Sequence, residues 1–365
     1  MSHTISEQRR RNPQPFLSIC IPQHNRTSFL LRCLESISSQ SFSDFEVCVS
    51  DDNSNDGRTA EIVNYLRSSG LDYAFAQNAT NIRYDGNLRA AISLSSGRYC
   101  LLMGNDDCFA NDRALDEIHE EITNHENVGV FIANFADYET RVVTKRVLHT
   151  WLYVGSPRVA ASHFRNMAFV SGLVLVREKA MEHSTDKWDG SEMYQMFIGC
   201  RILAQGFNLL ESELVPVLKD IRISGEEVDR AITRPRVSPC PIVERRMPLA
   251  SLGRVVCGAI EPFLRPGDRA IPVLVFAQIM VFNYGYWILE YRRVQSWRFA
   301  AGLCLGLRPR NSLSGVAMPM FAKVSLMWLY CLVALIGLTT PLWLFDKLYD
   351  SLYHMAKSVV SRRVE

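Results

Sequence analysis

The sequence predicts an α/β protein: a mainly parallel sheet with helices on both faces, followed by an apolar helical C-terminal region. Three observations carry this expectation. From residue 16 to the "LLMG" at 101–104, short apolar runs alternate with segments of helical spacing, the order that builds a parallel sheet. The runs are nearly continuous rather than alternating, as in strands buried on both faces. Past Pro235 the chain turns strongly apolar, and two windows, Ile271–Leu289 and Val324–Phe345, carry no charge.

"PFLSICIPQHN" is a strand over about residues 16–21, stopped by Pro22. In "RTSFLLRCLESISSQSF", Phe29, Leu30, Cys33, Leu34 and Ile37 fall on one helical face. "DFEVCVSDDNSNDG" is a second apolar run, Phe45 to Val49, ending in carboxylates and turn formers. "RTAEIVNYLRSSG" is a second amphipathic helix, closed by Gly70. "LDYAFAQNATN" offers a third strand, "YDGNLRAAISLSSG" a third helix and "RYCLLMG" a fourth strand. Further on, "NVGVFIANFADY" and "LVLVRE" read as strands and "SEMYQMFIGCRILAQG" as a helix. The Pro/Arg-rich stretch "RPRVSPCPIVERRMP" reads as a connector. The expected organisation is a polar tail over 1–15, the α/β domain over 16–235 and the helical region over 236–365.

At 365 residues the chain can bury a full core. A formal net charge of +2 implies no polyanion partner, nucleic acid included. Ten scattered cysteines lack CxxC pairs or zinc-type spacing, which points to thiols in a reducing compartment. The first fifteen residues lack the apolar stretch of a signal peptide, so the expected place of the catalytic part is the cytosol.

Ligands of parallel sheets sit outside the carboxyl ends of the strands. Two acidic pairs fall there: Asp51–Asp52 after the second strand and Asp106–Asp107 after the fourth, in "YCLLMGNDDCF". Adjacent carboxylates repel and lose hydration, so the pair needs a use. It can hold a divalent cation, act as acid and base, or cap the following helix, although Asn111 or Asp112 is better spaced for the cap. Oxygen ligands suit Mg²⁺ or Mn²⁺, which also bind substrate phosphates. In "SDDNSND", a carboxylate can accept hydrogen bonds from a base or a ribose, while Asp56 can cap the next helix and Asp51 can be packed or solvated.

"LSICIPQHNRTSFLLRCLESISSQSFSDFEVCVSDDNSNDGRTAEIV" resembles the opening of family 2 inverting glycosyltransferases: an apolar strand, "PTYNR", "L..CL.SI..Q", then "E..V.DD.S.D.T". "NIRYDGNLRAAISLSSGRYCLLMGNDDCF" continues the likeness, which covers about residues 16–115. "GNDD" and the "F.SG....R" element (Phe169, Ser171, Gly172, Arg177) are most similar to the abequosyltransferase-type branch of O-antigen enzymes. The resemblance implies a GT-A fold, a nucleotide-sugar donor and a divalent metal as cofactor. It implies that Pro22, Asn25 and Arg26 line the nucleotide site, with His24 as a further contact. Asp52 would touch base or ribose, and Asn81, Arg83, Asp85 and Asn87 would border the donor pocket together with Asn105. Asp106 would be the metal ligand, with Asp107 beside it. Two departures stand out: Gly104 replaces the first aspartate of the family's DxD, and Gln23-His24 replaces Thr-Tyr.

Inversion needs a general base for the acceptor hydroxyl. Many members carry "ED" at the start of the helix ending in "R....G", matched here by Arg201 and Gly206. Counting back gives Tyr194–Gln195, neither of them a base. Glu192 is the nearest carboxylate and the expected base, with Asp189 behind it. A degenerate scaffold that binds without catalysis, or a nucleotidyltransferase of similar fold, are the competing functions.

The window 324–345 is about 22 residues, enough for roughly 30 Å as a helix. With "PLWLFDKLYDSLYHMAKSVVSRR" behind it, an amphipathic run among basic residues, it predicts a re-entrant or in-plane membrane anchor. The alternative is a helical subdomain or a homo-oligomer interface. Docking at the cytoplasmic face of the inner membrane, peripheral or monotopic, suits the polyprenyl-diphosphate-linked saccharide acceptor that the resemblance implies.

Overall fold

The computed structural model describes residues 3–9, 11–224 and 248–348. The chain forms two compact units, one of Met1–Ser156 with Arg165–Val228, the other of Pro157–Phe164 with Asp229–Glu365. The run of residues 225–247, where the expected connector and domain boundary fall, lies outside the described residues, as does most of the amphipathic run 341–363.

The first unit begins with strand β1 (His3–Arg9), then β2 (Leu17–Gln23), helix α1 (Thr27–Ser38), β3 (Phe45–Asp51), α2 (Thr59–Ser68) and β4 (Tyr73–Asn78). Next come α3 (Arg83–Ser93), β5 (Tyr99–Leu102), the short β6 (Cys108–Phe109) and α4 (Ala114–Thr123). After β7 (Val128–Asp137), β8 (Val143–Thr144) and β9 (Trp151–Tyr153), helix α5 (Pro157–His163) belongs to the second unit. The first unit closes with β10 (Leu173–Val176), α6 (Arg177–Glu182), α7 (Tyr194–Ala204) and β11 (Asn208–Lys219).

The sheet runs β1-β4-β3-β2-β5-β10-β7-β11-β6. Strands β4, β3, β2 and β5 are parallel, as the alternation predicts. Their core residues Ile19, Ile21, Val47, Val49 and Phe75 are fully buried under helices such as α1, which adds Leu30, Leu34 and Ile37. Each such side chain contributes about 1.5–3 kcal/mol. Pro22 is tolerated in a central strand because pairing with β5 has already ended at Cys20, so no ladder bond needs its missing N–H.

Three features differ from the sequence reading. The polar N-terminal stretch is not simply a tail, since His3–Arg9 pairs antiparallel with β4 and covers that edge of the sheet. Strand β10 runs antiparallel between β5 and β7, so the far half of the sheet is mixed. Helix α4 starts at Ala114 after a two-residue strand; Asn111 accepts from the Arg113 N–H at 2.8 Å, one residue outside the helix.

The second unit holds α5, α8 (Pro248–Ile260), α9 (Ile271–Gln278), a π-helical turn (Ile279–Tyr284), α10 (Gly285–Val294), α11 (Trp297–Leu307), the single-turn α12 (Pro309–Ser312) and α13 (Met320–Thr339). Its core includes Val256, Phe276, Tyr284, Ile288 and Leu307.

Candidate active site

Register places Gln23 opposite Asp51 and Asp51 opposite Gln77, so three strands deliver polar side chains to one row at their carboxyl ends. Successive residues of a strand point to opposite faces, which separates the roles of Asp51 and Asp52. Asp51 is fully buried. It accepts from the Ser54 hydroxyl and N–H and from Gln77 Nε2 at 2.9 Å. Burial raises its pKa, partly offset by those bonds. Asp51 therefore shapes the turn.

Asp52 accepts on one oxygen from the Ile82 N–H at 2.7 Å and Asn78 Nδ2 at 3.3 Å. Its other oxygen accepts no hydrogen bond among the described residues. Its own N–H donates to Gln23 O, which also takes Asn87 Nδ2 at 3.1 Å. His24 Nδ1 lies 3.0 Å from Asp52 O, and His24 Nε2 is 3.3 Å from both Asn25 Nδ2 and Asn81 Nδ2. Asn25 has φ +49° and exchanges two bonds with Asn55; Arg83 has φ +62° and is exposed. The left-handed geometry suits asparagine, whose short amide bonds locally. His24, Asn25, Asp52, Asn81 and Asn87 are thus linked in one group, which Pro22 precedes on β2. Gln23, absent from the sequence candidates, is buried at its centre: Oε1 accepts from Asn105 Nδ2 at 2.5 Å, and Nε2 has no acceptor among the described residues.

At the end of β5, Asp106 is partly exposed and ion-paired with Arg26, whose guanidinium also stacks on Phe29. Asp107 is buried and accepts from the Ser171 hydroxyl on one oxygen and the Asp220 N–H, 2.9 Å, on the other. Burial first, then the neighbouring Asp106 carboxylate, pushes its pKa up to about 8. Ser171 also takes the Gly104 N–H at 2.8 Å. A Cβ on Gly104 would lie 3.0 Å from Asp107 Oδ2 and 3.1 Å from Asp106 Oδ1, so the glycine keeps the turn tight beneath both carboxylates. Among the described residues no three His, Cys, Asp or Glu side chains gather as a metal site. Asp107 has both oxygens engaged, which leaves Asp106 as the carboxylate able to turn to a cation. That donor set fits Mg²⁺ or Mn²⁺ only together with substrate phosphates and water.

Helix α3 grips the loop ahead of α7 at two points one turn apart. Asp85, buried, accepts three backbone N–H groups: Gly190 and Glu192 at 2.8 Å and Tyr194 at 3.0 Å. Burial raises its pKa and those bonds work against it. Arg89 forks onto Asp189 at 2.6 and 2.7 Å. The sequence places Glu192 at the start of the helix, but α7 starts at Tyr194 and Glu192 sits at φ +59° in the turn before it. Asp85's carboxylate faces this loop, away from the role of donor-pocket wall. Arg146, which nothing in the sequence singles out, is buried between Phe135 and Phe169 and donates to Ala133 O, Asn166 O and Phe169 O, holding the segment that carries Ser171. Burial lowers its pKa to about 9. Arg89 and Arg146 leave no mark in the sequence, because their partners lie 100 and about 20 residues away.

Residues 18–183 match the model of Glycosyl transferase family 2. The chain carries a family 2 glycosyltransferase domain. The abequosyltransferase RfbV of Salmonella typhimurium is 38% identical over 99 residues, 26% of this chain and 29% of that protein. A GalNAc(5)-diNAcBac-PP-undecaprenol β-1,3-glucosyltransferase of Campylobacter jejuni is 30% identical over 93 residues, 26% of this chain and 30% of that one. The match to these two relatives spans less than a third of their length. Among solved structures, Staphylococcus aureus TarS 1–349 in complex with UDP is 16% identical with TM-score 0.58, covering 88% of this chain and 90% of that one. The mannosyltransferase PcManGT from Pyrobaculum calidifontis, in complex with GDP-Man and Mn²⁺, is 15% identical with TM-score 0.50, covering 95% of this chain and 86% of that one. At these identities the structures establish the fold, which is GT-A, and the glycosyltransferase domain has it.

Proposed function

We propose that this chain moves a sugar from a nucleotide-diphosphate donor to a lipid-linked saccharide acceptor, with inversion, in bacterial surface polysaccharide synthesis. The observation that carries the reading is Asp52: a buried carboxylate fixed through one oxygen, with the other available to a base or ribose hydroxyl. Around it, Asn25, Arg26 and His24 form the rim, and the buried Gln23 amide offers a donor to a ribose or phosphate oxygen. The α/β unit would work at the cytoplasmic face of the inner membrane. The polyprenyl-diphosphate acceptor is supported by the name of the Campylobacter relative, which acts on a PP-undecaprenol saccharide.

In this mechanism the acceptor hydroxyl attacks the anomeric carbon opposite the diphosphate, and the C–O bond to the diphosphate breaks with its electron pair. Glu192 takes the hydroxyl proton; the Asp85 carboxylate and the Arg89–Asp189 fork hold its loop. Asp106 would hold a divalent cation, which would supply positive charge beside the leaving diphosphate. Arg26, now paired with Asp106, supplies positive charge to the same region. Gly104 in place of an acidic ligand favours one competing reading, a scaffold that binds donor without turnover.

The test begins with thermal midpoints against UDP, GDP, CDP and dTDP, with Mn²⁺, Mg²⁺ or chelator. Ligand at 100 times its Kd adds about 2.7 kcal/mol to stability, so one nucleotide should stand out. Transfer assays with that donor class follow. Glu192→Gln should lose about 10²–10⁴-fold in transfer rate and keep the nucleotide shift. Wild-type rates in Glu192→Gln, with Asp189→Asn inactive, would move the base to Asp189. A nucleotide shift with no turnover on any acceptor, donor hydrolysis included, would favour the scaffold.

A further inference from the structure

We propose that the outward face of α13 docks in the plane of one leaflet of an anionic membrane, and that neither it nor the helix run α9–α10 crosses the bilayer. By length and composition α13 is able to span: twenty residues, about 30 Å, with mean hydropathy 2.0 and Lys323 as its one charge. Its surroundings divide it into two faces. Ala322, Leu326, Tyr330, Val333 and Gly337 follow helical spacing and are buried. Phe321, Trp328, Leu332 and Leu335 follow the same spacing on the opposite side and are exposed, Trp328 by 73%. The outer half is as apolar as the inner half. Water is a poor solvent for a continuous face of this kind.

The direction of the helices decides between crossing and lying flat. Tyr284 packs edge-on against Tyr330 at 6.4 Å. A Cβ on Gly285 would meet Val333, and one on Gly337 would meet Ile288. Arg292 donates to Gly337 O at 2.9 Å and to Thr340 O. Residue numbers rise together along this contact, so α10 and α13 run parallel and lie side by side. If one crossed, the other would cross with it in the same direction, and residues 295–319 would have to return through the hydrocarbon. That return holds α11, eleven residues or about 16 Å, followed by Arg308 and Arg310. It falls well short of the ~30 Å core, and irregular backbone with two arginines is costly in lipid. In-plane docking satisfies the same apolar face without a return strand.

A lipid surface is the occupant that charge favours. Residues 271–348 contain seven Lys or Arg against two Asp or Glu, one of them the buried Glu290. Arg298, Arg310 and Lys347 in this stretch are exposed, and basic residues near inserted apolar surface draw anionic headgroups. At the C-terminal end of α13, the exposed Trp297 donates its indole N–H to Leu338 O at 3.2 Å. Tryptophan of this amphipathic kind suits the headgroup boundary. The inference sharpens the membrane location proposed above, and it does not depend on the transfer chemistry.

The experiment uses the full chain with sealed vesicles of phosphatidylcholine, with or without phosphatidylglycerol. Wild type should co-sediment with the anionic vesicles, and brominated lipid should quench its tryptophan fluorescence. Trp328→Glu with Leu335→Glu should lower the partition at least tenfold, with thermal midpoint and nucleotide shift unchanged, since both side chains point outward. Ser296→Cys and Ser314→Cys sit at opposite ends of the α10–α13 pair; an impermeant maleimide added outside should label both. Protection of one of the two in every vesicle-bound sample would establish crossing and overturn the proposal. Failure of wild type to bind vesicles, with a concentration-dependent oligomer that the double variant dissolves, would assign the face to a second copy and overturn it too. The nucleotide shift reports on the donor site alone, so failure of either reading is seen separately.

Discussion

The carboxylate pairs at the ends of β3 and β5 look alike in sequence, yet the fold treats their members in opposite order. At Asp51–Asp52 the first carboxylate is fully buried and holds the turn, and the second keeps one oxygen available. At Asp106–Asp107 the second is buried against Ser171 and the Asp220 N–H, and the first meets Arg26 at a partly exposed position. In each pair one carboxylate organises backbone, and its neighbour is left the less engaged of the two. Adjacent carboxyl groups are tolerated because their hydrogen-bond demands are met by different elements, and at the β5 pair because burial and the neighbouring carboxylate keep the Asp107 proton on.

The comparison has consequences in descending order of size. Asp106→Asn removes the presented carboxylate at β5 and should cut transfer by about 10²–10³-fold, the scale of losing one charge-stabilising group, with little change in thermal midpoint; full activity would end the cation role. Asp52→Ala should weaken nucleotide binding by about 1.5–3 kcal/mol, the value of a hydrogen bond to a charged group, read as a lost thermal shift with UDP or its counterpart. If Asp51→Asn instead removed the shift and Asp52→Ala kept it, the two members of the β3 pair would have to exchange roles.

Asp107→Asn is expected to change the pH dependence of stability, and its sign follows from the raised pKa. The folded state holds the Asp107 proton up to about pH 8 against an ordinary value of 3.8. Its contribution is therefore fully present below the ordinary value and is lost as pH rises towards 8. The asparagine variant should lose less stability than wild type between pH 4 and 8 in denaturant titrations; parallel curves would show that Asp107 ionises normally. The smallest change is expected of Gly104→Ala. Its Cβ at 3.0–3.2 Å from Asp107, Asp106 and Ser171 asks those groups to give by tenths of an ångström, with a stability loss of about 1 kcal/mol and a lowered Asp106-dependent rate. An unchanged rate would mean the turn has slack.

Much of the domain was legible. The strands from Leu17 to Leu102 are apolar on both faces and the helices between them carry one apolar stripe, so local period alone separates them. The positions of Asp52 and Asp106 at strand ends were legible because they follow such apolar runs. The antiparallel insertion of β10 and the pairing of β1 were not, since "LVLVRE" reads as a strand whatever its direction and a polar edge strand has no apolar pattern. Glu192 was read as helical because "SEM" continues helical composition; Asp85, 107 residues away, captures its N–H and bends it out. In α13 the spacing of apolar residues hides the division of faces, since every position but Lys323 and a few small polar ones is apolar.

By itself the amino-acid order determined where the chain is strand or helix in the α/β domain, where acidic turns interrupt it, and which family it resembles, because those properties depend on neighbours within a few residues. Only the tertiary structure decided which carboxylate of each pair is buried, what holds the Glu192 loop, and that α10 and α13 run parallel. Those outcomes rest on contacts between residues tens to a hundred positions apart, and a hydrogen bond or a packed helix face answers to distance in space, which local sequence does not encode.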